Sequence, residues 1–192
     1  METIILTGLI GSGKSAVSAL LAERGIPVYD SDARTKALYD ENPTLVPALE
    51  KVLGIPLRTA GGKLDRKAMA AVIFSDAKAR EQVENTVYPA VLEDFLRWRE
   101  AHVHAPFVVM ESAVILFKPI FNGLADKVVL VTAPREVRLQ RVMARDGLGA
   151  EEVLRRMDAQ QLPREGIGAV IVNDGTPEQL RAAVDAVFFP KK

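Results

Sequence analysis

The chain has 192 residues, 48% apolar and 26% charged, with 25 basic against 25 acidic side chains and no cysteine. That length allows one full core with one or two small excursions, and the composition is that of a folded chain rather than a disordered one. Zero formal charge gives no global field toward nucleic acid or anionic membrane, and the lack of cysteine excludes disulfides, thiolate ligands and thiol nucleophiles.

The first predicted element is an apolar strand over residues 3–7. It runs into Gly8-Leu9-Ile10-Gly11-Ser12-Gly13-Lys14-Ser15, which fits G-x-x-x-x-G-K-[ST], and then into helix-forming Ala16-Val17-Ser18-Ala19-Leu20-Leu21. Strand, loop and helix are the setting this motif requires. Its glycines let backbone N–H groups surround phosphate oxygens, and the helix presents its positive end to the same anion. Lys14 reaches toward β/γ-phosphates and Ser15 offers a hydroxyl to Mg²⁺. The candidate ATP contacts are therefore Gly8, Leu9, Ile10, Gly11, Ser12, Gly13, Lys14, Ser15 and Ala16. No basic stretch precedes the apolar strand and no apolar run reaches about 18 residues, so neither a signal peptide nor a membrane span is expected. An intracellular, cytoplasmic protein is the expectation.

Gly25 closes the first helix, and a second strand over 26–30 leads into Asp30-Ser31-Asp32. Ligands of parallel sheets gather beyond the strand C-termini, where these acids stand. They would share a face if the strand continued, but the chain is expected to turn here, which leaves their directions open and gives each its own task. Asp30 is assigned to metal support through water and Asp32 to orienting or deprotonating an attacking hydroxyl. Capping of the next helix is the alternative for either one.

The interval to Pro106 is too long for a simple crossover. It contains an apolar-periodic stretch at 45–53, a Gly61-Gly62 turn, a helix opening near Asp65 and a long helical run over 76–100 that Pro89 should kink or divide. It reads as a helical excursion covering a second substrate, with Val83, Val87, Val91, Leu92, Phe95 and Leu96 as packing residues. Strands at 107–111, 127–132 and 169–173 complete a five-stranded parallel sheet. Glu111 ends the third, as a metal-shell or substrate-hydroxyl contact or as a carboxylate satisfied by loop N–H groups. His102 and His104 lack metal-ligand partners at suitable spacing.

Helices at 135–145 and 151–161 lie between the last two strands. Arg138, Arg141 and Arg145 share one helix face, either as a lid over ATP phosphates, with Arg141 foremost and Arg145 next, or as a solvated face. Thr176-Pro177-Glu178-Gln179 opens the final helix with a capping pattern. Residues 188–192 look like a docked end with a solvated tip.

Four stretches resemble the dephospho-coenzyme A kinase family over nearly the whole chain. Residues 6–15 are similar to its L-T-G-G-I-G-S-G-K-[ST], with Leu9 in place of the second glycine. Residues 25–32 are similar to G-x-x-x-x-D-A-D. Gly62-Lys63-Leu64-Asp65-Arg66 with Val72-Ile73-Phe74 is similar to G-x-L-[DN]-R … V-F, and Arg141, Arg145-Asp146-Gly147 and Arg156…Gln160 follow the lid pattern. The chain departs at Tyr88-Pro89, where the family has His-Pro, at Lys118, and at Gly168, where an acid is usual.

The resemblance implies an α/β three-layer P-loop kinase fold, with a nucleotide core over 1–32 and 106–192, an acceptor-binding excursion over 33–105 and a lid over 134–150. It implies γ-phosphoryl transfer from ATP, with Mg²⁺, to the ribose 3′-hydroxyl of dephospho-coenzyme A. Asp32 would be the base, aided by Lys14 and Arg141. Leu64, Arg66, Tyr88 and Glu111 would stand on the acceptor side, and Asn173 near the adenine or, equally, as a turn residue. Another small-molecule or nucleoside-monophosphate kinase, or a nucleotide-binding protein without catalysis, are the competing readings. The partner expected is the small-molecule substrate, without nucleic acid or membrane, for a monomer or weak homo-oligomer.

Overall fold

The computed structural model describes residues 1–162 and 166–190; Lys191 and Lys192, expected to form the solvated tip, lie outside them. The chain divides into two units: residues up to Asp30 together with those from His102 onward, and Ser31–Ala101.

The first unit is built on a parallel sheet of β1 (Glu2–Thr7), β2 (Val28–Asp30), β3 (Phe107–Glu111), β4 (Lys127–Thr132) and β5 (Ala169–Val172), in the order β2-β3-β1-β4-β5. Continuous apolar runs make these strands because a sheet covered on both faces has no side to give to polar residues. One face carries Ile4, Leu6, Val109, Val129, Val131 and Ile171, packed against Val17 and Leu21 of α1 (Lys14–Glu23) and Leu180, Val184 and Phe188 of α8 (Pro177–Phe188). Truncating a wholly buried member such as Leu21 to Ala costs about 2–5 kcal/mol.

Local chemistry sets the element ends. Thr176 accepts from the Gln179 N–H while the Gln179 side chain accepts from the Thr176 N–H, closing the expected capping box of α8. The chain end is docked: Phe188 stacks on Phe107 with ring centroids 5.9 Å apart. Between β4 and β5, α6 (Arg135–Asp146) and α7 (Ala150–Asp158) join through Gly147, which takes the left-handed conformation that ends α6. Val142, Val153 and Met157 form their shared apolar seam, against which Ile10 packs.

The second unit is helical. Its elements are α2 (Ser31–Glu41), α3 (Leu45–Leu53), α4 (Arg66–Ser75) and α5 (Ala77–Ala101). Asp65 caps α4 by accepting from the Lys67 and Ala68 N–H groups. The strand does not continue past Asp30: α2 starts at Ser31, so Asp32 sits in a helical first turn and not on an extended strand. Pro89 does not divide the long helix. It deprives the Asn85 carbonyl of its helical partner, yet α5 runs unbroken because Val83, Val87, Val91 and Phe95 are buried along one side. Leu92 and Leu96 are half-buried beside them.

Candidate active site

Gly11 and Gly13 of the β1–α1 loop hold φ values of +77° and +96°, and the space beside each is taken. A Cβ on Gly11 would stand 2.6 Å from the Arg138 carbonyl oxygen, and one on Gly13 would run into the Asn173 side-chain amide. Both positions thus require glycine for conformation and for close approach. Among the described residues, the N–H groups of Gly11, Gly13 and Ser15 meet no acceptor in the protein. The N-terminus of α1 has neither a side-chain cap nor an acid in its first turn. A cluster of open donors at a positive helix end is an anion site by construction.

Side chains from distant parts of the first unit fix the loop. The Ile10 N–H donates to Gln160 Oε1 at 2.6 Å, and Arg138, itself buried, directs a guanidinium nitrogen to the Ile10 carbonyl at 3.5 Å. Asn173 Nδ2 donates to the Ser12 carbonyl at 2.9 Å, while Arg141 donates to the Asn173 backbone carbonyl at 2.9 Å. Lys14 Nζ donates to the Gly8 carbonyl at 2.9 Å. Gln160, Arg138 and Asn173 therefore brace the loop backbone in a fixed curve. Replacing Gln160 by Ala strands the part-buried Ile10 N–H, which should cost about 1–3 kcal/mol. Thermal denaturation together with an ATP titration checks this; we expect a lower midpoint and weaker binding.

At the other end of the loop, Ser15 Oγ donates to Glu111 Oε1 at 3.1 Å and Ser18 Oγ to Glu111 Oε2 at 2.5 Å. Glu111 is paired in register with Leu6 on one side and Asp30 on the other. Since Val109 and Val28 face α1, Glu111 and Asp30, each two residues further, project to the same face. Ser15, Glu111 and Asp30 supply hard oxygen donors of the kind Mg²⁺ prefers. No group of three or more acidic, His or Cys side chains that could hold a metal exists among the described residues. Mg²⁺ bound with a nucleotide keeps several waters and takes ligands from phosphate, so a few protein oxygens suffice. The residues fit Mg²⁺.

Of the predicted residues, the structure brings together the loop, Arg141, Asn173, Glu111 and Asp30. Arg145 is exposed, and its guanidinium grips the carboxylate of Asp146 with contacts of 2.7 and 3.0 Å. Ala16 bonds through its N–H to the Gly13 carbonyl and lines a mostly apolar cavity of about 300 Å³ with Leu20, Pro177 and Arg181.

In the helical unit, Asp32 and Glu84 sit close enough to Tyr88 that their charges add to burial in raising the phenol's pKa well above its usual value. Burial also raises Tyr39, against the opposing charge of Arg66. Arg66 donates to the Lys36 carbonyl at 3.2 Å and stands 3.9 Å from Asp40. Leu64 is buried and bridged to Arg58, a packing position in this structure. Sequence reading missed Gln160 and Arg138 as loop braces, and Ser18. The one available signal was the i, i+3 spacing of Ser18 from Ser15, which puts both hydroxyls on one face of α1.

A glycine-rich loop with open N–H donors, seated between a central parallel strand and a helix, defines a P-loop protein of the small-kinase architecture. The family model described as dephospho-CoA kinase matches residues 2–177. The chain belongs to that family. It is 44% identical over 177 residues to the dephospho-CoA kinase of Porphyromonas gingivalis, covering 90% of this chain and 86% of that protein. A crystal structure of TT1252 from Thermus thermophilus superposes with a TM-score of 0.80 at 37% identity, covering 97% and 95% of the two chains. Dephospho-CoA kinase from Campylobacter jejuni shares the fold, with a TM-score of 0.70 at 23% identity over 97% and 96%. No helix among the described residues is long and apolar enough to cross a membrane.

Proposed function

We infer that this chain catalyses the reaction of its family, phosphorylation of the ribose 3′-hydroxyl of dephospho-coenzyme A to give coenzyme A. ATP is the phosphoryl donor in this reading, Mg²⁺ its metal and the cytoplasm its compartment. The observation that carries the donor half is the open N–H cradle at Gly11, Gly13 and Ser15, held to shape by Gln160, Arg138 and Asn173.

The loop amides and Lys14 hold the β- and γ-phosphates. For Lys14 this means exchanging the Gly8 carbonyl for a phosphate oxygen. Arg141, already anchored beside Gly13 through Asn173, meets charge that spreads onto the transferred group. Ser15, with Glu111 and Asp30 through water, would hold Mg²⁺, which neutralises phosphate charge when bound. Asp32 orients the acceptor hydroxyl and takes its proton late in the displacement. Arg145 is free to serve the phosphates only after leaving Asp146, so Arg141 is the main guanidinium here.

Leu64 and Arg66 are carried as acceptor-side residues by the family pattern alone. Tyr88 stands where the family has His, and its raised pKa keeps the phenol protonated and able to donate. Tyr88→Phe should raise the KM for dephospho-coenzyme A by about 3–10-fold, the worth of one neutral hydrogen bond, and leave the KM for ATP unchanged. Initial-rate kinetics in both substrates distinguish these outcomes. A coupled ADP-release assay over dephospho-coenzyme A, nucleosides, nucleotides and shikimate tests the reading as a whole. Preference for any acceptor other than the first would overturn it.

A further inference from the structure

Glu111 is buried, 9% exposed, and each of its two carboxylate oxygens receives one hydroxyl from the same helix. These two hydroxyls are the carboxylate's only hydrogen-bond partners among the described residues. The division of labour between them is unequal. Ser15 belongs to the phosphate loop, and its oxygen lone pairs are the ones a metal bound with a nucleotide would take. While coordinating, its hydroxyl proton still needs an acceptor, and Glu111 Oε1 stands 3.1 Å away to take it. Ser18 lies outside the motif over residues 8–15. One turn further along α1, it donates to the other oxygen at 2.5 Å.

A carboxylate turns easily about its terminal torsion, whose preferences are broad. One bond on one oxygen leaves the second oxygen free to swing. Two bonds from hydroxyls fixed at i and i+3 of a single helix define the carboxylate plane, and with it the direction in which Oε1 faces the metal shell. α1 is held in place by Val17 and Leu21, both wholly buried against the sheet, so the pair of donors is itself rigid.

We propose that Ser18 is a positioning residue for the magnesium shell, acting through Glu111 by fixing the carboxylate plane against which Ser15 coordinates. The proposal rests on the assignment of Ser15 and Glu111 to Mg²⁺ made above. Ser18→Ala keeps a good helix former in α1 but strands one buried Glu111 oxygen, so a cost of about 1–3 kcal/mol and a lower thermal midpoint are expected with the fold retained; unchanged far-ultraviolet circular dichroism verifies the fold.

The test is calorimetric titration with the non-hydrolysable analogue AMP-PNP, in EDTA and again in Mg²⁺, on wild type, Ser18→Ala, Glu111→Ala and the double variant. In EDTA, Ser18→Ala should bind within twofold of wild type. The tightening that Mg²⁺ confers on wild type should fall by about tenfold in Ser18→Ala, the usual scale for losing an outer-shell partner. The double variant should then show no loss beyond Glu111→Ala alone. An equal Mg²⁺ increment in wild type and Ser18→Ala overturns the proposal, and so do additive losses in the double variant. Absence of any Mg²⁺ increment in wild type would instead refute the metal assignment on which it rests.

Discussion

Asp32→Asn should lower turnover by about 10²–10⁴-fold while ATP binding stays within twofold of wild type. Asparagine keeps the size of the side chain and one carbonyl oxygen able to accept a hydrogen bond, but it cannot take a proton. Asp32 lies in the first turn of α2, where a carboxylate is also favoured by the helix dipole. If capping were its whole task, the substitution would cost at most about 1 kcal/mol of stability and leave kcat alone. The two roles thus separate cleanly in one experiment, kcat against thermal midpoint. Turnover close to wild type would remove Asp32 from the base role.

Gly13→Ala should abolish nucleotide binding in the accessible concentration range and destabilise the fold. Two costs combine at this residue. The left-handed backbone, φ +96°, costs an alanine on the order of 1 kcal/mol, and its methyl collides with the Asn173 amide that braces the Ser12 carbonyl. Relief requires Asn173 to move, which also frees Arg141 from its anchor on the Asn173 backbone. Gly25→Ala is the matched control. Its φ of +74° carries a similar strain, but nothing lies within 4 Å of the added methyl. We expect Gly25→Ala to lose stability alone and Gly13→Ala to lose stability and ATP affinity, as read by denaturation and nucleotide titration.

Much of this was legible in the residues because the relevant physics is local. The five strands follow from short apolar runs bounded by breakers, and the caps at Asp65 and Thr176 from side chains that satisfy open N–H groups nearby. The loop motif marks the donor site by itself. One local reading gave way to tertiary structure. Pro89 signals a break, yet burial of Val87 and Val91 on either side outweighs one missing helical hydrogen bond. The turn expected at Asp30-Ser31-Asp32 is the start of a helix, with Ser31 buried there.

The braces of the phosphate loop were out of reach for a different reason. Gln160, Arg138 and Asn173 lie 150, 128 and 161 residues from the backbone groups they hold. No periodicity or spacing links such pairs; only the crossing of α6, α7 and the end of β5 past the loop does. Asn173, read from the family pattern as an adenine neighbour or a turn residue, spends its amide on Ser12 and its carbonyl on Arg141. Arg145, read as a second phosphate contact, is held by the acid next to it.

Incubation of the purified chain with ATP, Mg²⁺ and dephospho-coenzyme A, followed by phosphorus NMR and mass spectrometry of the product, tests the proposed reaction most directly. The predicted result is one new phosphomonoester on the ribose 3′-oxygen, formed in equal amount with ADP. A phosphate at any other position, or ADP released without a phosphorylated coenzyme, would contradict it.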